Sequence, residues 1–131
     1  MTLAAPVLVL ATGLPVAHED IALAADLARE HGTGLVVVTI GDLHACPYGD
    51  PLREAQLDAI ALDAMGMGVV CETVVMRSLA PLRALERAAR VVKPCVTVVA
   101  APVRRGGRRL ARKLARRLSR HPMLVWHCAA V

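Results

Sequence analysis

Five short segments of this 131-residue chain favour the extended conformation, and each is divided from the next by a segment with helical spacing. The extended segments are residues 6–12, 35–40, 69–75, 95–101 and 123–127, rich in Val, Leu and Ile. A strand that is apolar at consecutive positions has both of its faces covered, which is the condition inside a parallel sheet and not in a one-faced antiparallel one. Strands alternating with helices at this spacing require crossover connections, which are right-handed. The pattern therefore predicts an α/β fold in three layers, with an open five-stranded parallel sheet flanked by four helices. No repeat or linker interrupts it, so residues 1–131 are expected to form one domain.

Local signals set the helices. His18 to Glu30 places Ile21, Ala24, Ala25 and Ala28 on one side and stops before Gly32. Asp50 is expected to cap a second helix with Pro51 at its first position, and Leu52, Ala55, Ala59 and Leu62 form its expected buried side. Ser78 is the expected N-cap of the third, with Leu82, Leu85, Ala89 and Val92 inward and Arg83, Glu86, Arg87 and Arg90 outward. The fourth runs from Arg108 to Arg120 and must end at Pro122. With no Phe, one Trp and one Tyr, the core has to be built from small aliphatic side chains.

The charge is uneven. The net charge is +5, yet every acidic residue lies at or before Glu86, and residues 104–131 hold nine Lys or Arg. A local positive patch follows, rather than a uniformly basic protein. In the fourth helix, Leu110, Ala111, Leu114, Ala115 and Leu118 span an arc of about 140°. Arg109, Arg112, Lys113, Arg116 and Arg120 occupy the other side. Like charges one turn apart repel. The row is therefore either a plain solvated face or a surface for an acidic protein or nucleic acid. The apolar arc lacks the Trp or Phe of an interfacial membrane helix, and no aromatic residue is interleaved with the arginines to stack on bases.

Open parallel sheets bind ligands at the carboxyl ends of their strands, where strand order reverses. That places the candidate phosphate or nucleotide site at Thr12 and Gly13 after the first strand, Ile40 and Gly41 after the second, and Ala101 after the fourth. Arg104, Arg105, Gly106, Gly107 and Arg108 then lead into the basic helix. Glycines before a helix expose N–H groups to an anion, and arginine forks bind phosphate bidentately, although such glycines also serve ordinary turns.

Other chemistry is poorly supported. Cys46, Cys71, Cys95 and Cys128 form no CxxC, and His18, His31, His44, His121 and His127 have no metal-ligand spacing, so no metal site is expected. His44 and Cys46 share a loop with Asp42 and Asp50, but neighbouring loop residues make a poor nucleophile–base pair. No acid–base pair suggests an enzyme. No apolar run is long enough to span a bilayer, and no Lys or Arg precedes Arg29 to start a signal peptide. A cytoplasmic location is the expectation.

Taken together, VLVLATG, AHEDIALAADLAREHGTGLVVVTI, SLAPLRALERAARVVKPCVTVVAAP and the closing HPMLVWH resemble the universal stress protein family over nearly the whole chain. The resemblance implies the strand order 3-2-1-4-5, a role in stress response, often a homodimer, and in one branch ATP or AMP held where the first and fourth strands part. The chain departs from that branch at several positions, among them Gly13-Leu14 in place of Gly-Ser and Ala101-Pro102 where a Gly-Ser pair is usual. Thr12 stands where an Asp is usual, and the late Gly-Ser/Thr of the phosphate loop is missing. The expectation is a non-enzymatic regulatory domain with weak or altered nucleotide or phosphate binding and no certain cofactor. Its dimer contact is expected on the edge strand from Met123 to Cys128. The alternative is an interaction module that uses the basic helix and binds no nucleotide.

Overall fold

A computed structural model describes residues 5–41, 51–102 and 108–119, and the backbone of 124–127. The elements alternate: β1 (Val7–Ala11), α1 (His18–Glu30), β2 (Leu35–Gly41), α2 (Pro51–Gly66), β3 (Cys71–Arg77), α3 (Pro81–Val92), β4 (Val96–Ala100), α4 (Arg108–Arg117) and β5 (Leu124–His127). All ladder pairs are parallel, and the strands lie in the order β3-β2-β1-β4-β5.

The alternation of side chains divides the core into two. On one face Val7, Val9 and Ala11 of β1 meet Val96, Val98 and Ala100 of β4 under α1 and α2, which supply Ile21, Ala24, Ala28, Leu57 and Ile60. On the other, Leu8, Leu10 and Val99 pack under Leu85 and Ala89 of α3 and Ala111 and Leu114 of α4. Every side chain of β1 and β4 is buried, because both strands are central and covered on both faces. The edge strand β3 instead alternates half-buried and exposed residues along most of its length.

Three local expectations are corrected. Helix α2 does not bury Leu52, Ala55, Ala59 and Leu62. Leu52 and Leu62 are exposed, and Leu57, Ile60 and Ala64 face the core. Apolar residues lie all round this helix, so spacing alone offers several faces, and packing selects the one that carries Leu57 and Ile60. Ser78 is not the N-cap of α3. Pro81 takes the first helical position, Ala80 the cap, and the Ser78 hydroxyl accepts the Ala80 N–H at 3.0 Å. Strand β3 starts at Cys71, not Val69, because the chain leaves α2 through Gly68 at φ +79° and enters register where Leu35 pairs with Cys71.

Candidate functional site

At the carboxyl ends of β1 and β2 the structure has a cavity of about 220 Å³, lined by Gly13, Leu14, Thr39, Ile40, Leu52, Arg53 and Gln56. The sheet supplies its floor through Thr39 and Ile40. The loop after β1 supplies one wall, and the first two turns of α2 supply the other. The strand order reverses between β1 and β4, so this cavity lies beside that reversal, on its β1–β2 side.

The loop after β1 is fixed by backbone bonds. The Thr12 N–H donates to the Ala100 carbonyl at 3.1 Å, and the Thr12 hydroxyl donates to the same oxygen at 3.3 Å. Thr12 thus ties β1 to β4. Val16 and Pro102 form an antiparallel bridge that draws the loop over the end of β4. Pro102 then packs on Gly13, where an added Cβ would lie 3.1 Å from its Cγ. This proline occupies the β1–β4 side of the reversal, so the open space lies on the β1–β2 side.

Of the residues expected at the site, Gly13 and Ile40 line the cavity. Gly41 is buried at the end of β2, and a Cβ there would lie 2.9 Å from Val75 Cγ1 and 3.0 Å from Arg53 Nη1. Its lack of a side chain makes room for the Arg53 guanidinium. Ala101 is buried in the core under α3 and α4 and does not line the cavity. Arg108 is half-buried at the first residue of α4. Arg104, Arg105, Gly106 and Gly107 lie outside the described residues, as do His44, Cys46, Arg120 and the ends of the Met123–Cys128 segment.

Sequence reasoning missed Arg53, Gln56, Leu14, Leu52 and Thr39. Arg53 carries a signal in hindsight. It is a cation in the first turn of a helix, where the macrodipole favours an anion, and it opposes that dipole by about 0.3–1 kcal/mol. Gln56 also lines a second cavity of about 160 Å³, with Pro15, His18, Ile21 and Asp63 among its walls. There His18 Nδ1 and Asp63 Oδ2 are 2.6 Å apart and join the start of α1 to α2.

Another concavity, of about 350 Å³, is elsewhere. It is an open groove on α4 bounded by Arg112, Ala115, Arg116 and Ser119, away from the cavity at the ends of β1 and β2. Among the described residues no group of three or more His, Cys, Asp or Glu stands where it could hold a metal ion. Cys71 is half-buried, and burial pushes its thiol up, so it stays protonated at neutral pH. Among the described residues no helix is long and apolar enough to cross a membrane.

No protein-family model and no curated protein matches the chain. Solved structures do. A protein from the universal stress protein family of Burkholderia pseudomallei is 24% identical with a TM-score of 0.62, and the match covers 95% of this chain and 96% of that one. The universal stress protein of Archaeoglobus fulgidus, solved in complex with dAMP, is 18% identical with a TM-score of 0.68, covering 95% and 98%. A universal stress protein family protein from Arabidopsis thaliana with AMP bound is 14% identical with a TM-score of 0.64, covering 96% and 94%. The fold of this chain is that of universal stress proteins.

Proposed function

We propose that this chain is a universal-stress-type regulatory protein that binds an adenine nucleotide, or a smaller phosphate ligand, without catalysing a reaction on it. The observation that carries this reading is the cavity at the carboxyl ends of β1 and β2, beside the reversal of strand order, with the Arg53 guanidinium at its wall. Proteins of the same fold solved with dAMP and AMP support the choice of ligand class.

The residues suggest how binding works. Leu14, Ile40 and Leu52 offer apolar surface to a base or sugar, Gln56 offers an amide, and Arg53 offers a fork to phosphate. The N-terminus of α2 adds a dipole of the same sign.

The cavity is below the roughly 300–1,000 Å³ of pockets that enclose whole ligands. It suits one part of a nucleotide, with the rest outside it. Thr12 brings no carboxylate, and its hydroxyl is already bonded to Ala100. Both features favour weak, salt-dependent binding. Among the described residues that line the cavity there is no His, Cys, Asp or Glu to move a proton. The single-domain organisation and a dimer through β5 belong to the same proposal. In the sheet order β5 is an edge strand, and pairing with a second copy would cover that edge.

Isothermal titration with AMP and ATP at 50 and 300 mM salt tests this reading. Binding in the high micromolar to millimolar range at low salt is expected, with about a tenfold loss in Arg53→Gln. Tight, magnesium-dependent binding that is indifferent to Arg53→Gln and to neutralising Arg104 and Arg105 would contradict it.

A further inference from the structure

The two layers of helices carry opposite charge. Helices α1 and α2 hold seven carboxylates against two arginines. Helices α3 and α4 pack side by side on the other face of the sheet and hold nine Arg or Lys against one carboxylate, Glu86. The basic surface is therefore not α4 alone, which is all that its sequence reveals. The third helix contributes a second row.

That single carboxylate sets the geometry. Glu86 is four-fifths buried at the seam between the helices, 3.3 Å from Arg117 of α4 and 3.7 Å from Arg90 of its own helix. Arg83, Arg87 and Arg90 recur at i, i+4 and i+7 along the exposed side of α3. Arg109, Arg112, Lys113 and Arg116 form the exposed ridge of α4, while Ala111, Leu114 and Leu118 are turned into the core. Both helices cross between parallel strands on one face, so they run in the same direction, with axes about 8–10 Å apart. The result is two parallel cationic rows flanking one neutralised seam.

We infer that this two-helix face docks duplex nucleic acid through its phosphates, without reading base sequence. Eight of the nine cations are arginine, whose planar fork matches phosphate better than a lysine does. Two rows at helix spacing can meet phosphates of both strands at once, whereas a single strand needs stacking side chains, and α3 and α4 carry no aromatic residue. Ala111, Leu114 and Leu118 of α4 are spent on the core, and among the described residues of the two helices Val91 is the one large apolar side chain left exposed, too little to anchor the face in a bilayer. A second copy offering its acidic helices is a weaker fit. Of their seven carboxylates, Asp20 is buried, Asp26 pairs with Arg29 and Asp63 with His18.

Fluorescence anisotropy with two unrelated 20-base-pair duplexes tests the assignment on the full chain. Equal affinity for both is expected. With about five phosphates engaged, the log–log salt slope should be about −4.5, or roughly 500-fold weaker binding at 200 than at 50 mM salt. Changing Arg83, Arg87 and Arg90 to Glu, or separately Arg109, Arg112 and Arg116, should each weaken binding at least tenfold. The matching Gln variants are the check should a Glu set unfold, and Arg53→Gln should have no effect. The assignment fails if duplex does not bind at 50 mM salt, or if the α3 variants bind as wild type. It fails equally if poly-glutamate competes as well as duplex, or if the protein self-associates at low salt in a way that the α4 variants abolish while duplex binding persists.

Discussion

Gly34 lies just before β2, where the Val7 N–H donates to its carbonyl at 3.0 Å. A Cβ at this position would stand 2.8 Å from the Val70 carbonyl oxygen, which itself accepts the Leu35 N–H. That obstacle is backbone, so it cannot rotate away. Gly34→Ala should cost about 1–3 kcal/mol in urea unfolding, the usual range for overpacking a tight site. At Gly41 the obstacles are the Val75 side chain and the far end of Arg53, both able to move. Gly41→Ala should therefore unfold within about 1 kcal/mol of the wild type yet lose most of its nucleotide affinity, because Arg53 is pushed off its seat. Equal loss of stability in the two variants would refute this contrast. The sequence marks Gly41 as the end of a strand and a candidate site residue, and it gives Gly34 no role. What each one makes room for is contributed by residues 12 to 36 positions away, which no local pattern encodes.

Among the elements, α2 and α4 differ most in how well they can be read. The apolar residues of α4 form one stripe between arginines, so its buried face was evident: Ala111, Leu114 and Leu118 are buried as expected, while Leu110 and Ala115 at the edges of the stripe are half-buried. Helix α2 is apolar on several sides, so its orientation could not be read, and Arg53 was missed with it. Helix α3 has its cap at Ala80, two residues later than the expected cap at Ser78, and Glu86, expected on a solvated face, instead sits between two arginines at the α3–α4 seam. Its carboxylate offsets part of the repulsion within α4. Glu86→Gln should lower stability by about 0.5–1 kcal/mol at 20 mM salt, and the gap should shrink at 500 mM as the pairs are screened. A gap that is absent at low salt, or that widens at high salt, would show that Glu86 does not bind the two helices together.

On the scale of the whole molecule, an acidic layer and a basic layer face outward from one apolar sheet. Repulsion within the basic layer opposes folding, and salt relieves it. Raising NaCl from 20 to 300 mM should stabilise the protein by about 1 kcal/mol, or roughly 3–5 °C in the melting temperature for a chain of this size. A flat or falling melting temperature would mean that the rows are too far apart, or too well solvated, to repel. The sequence by itself determined the α/β class, the alternation of elements, the small aliphatic core and the position of the cationic stretch. All of these rest on periodicity and composition, which act between near neighbours. Only the tertiary structure decided which face α2 buries, that Pro102 fills one side of the reversal while Arg53 borders the other, and that the arginines of α3 lie beside those of α4. Those outcomes depend on contacts between segments far apart in the chain, and such contacts form only when the strands are laid side by side.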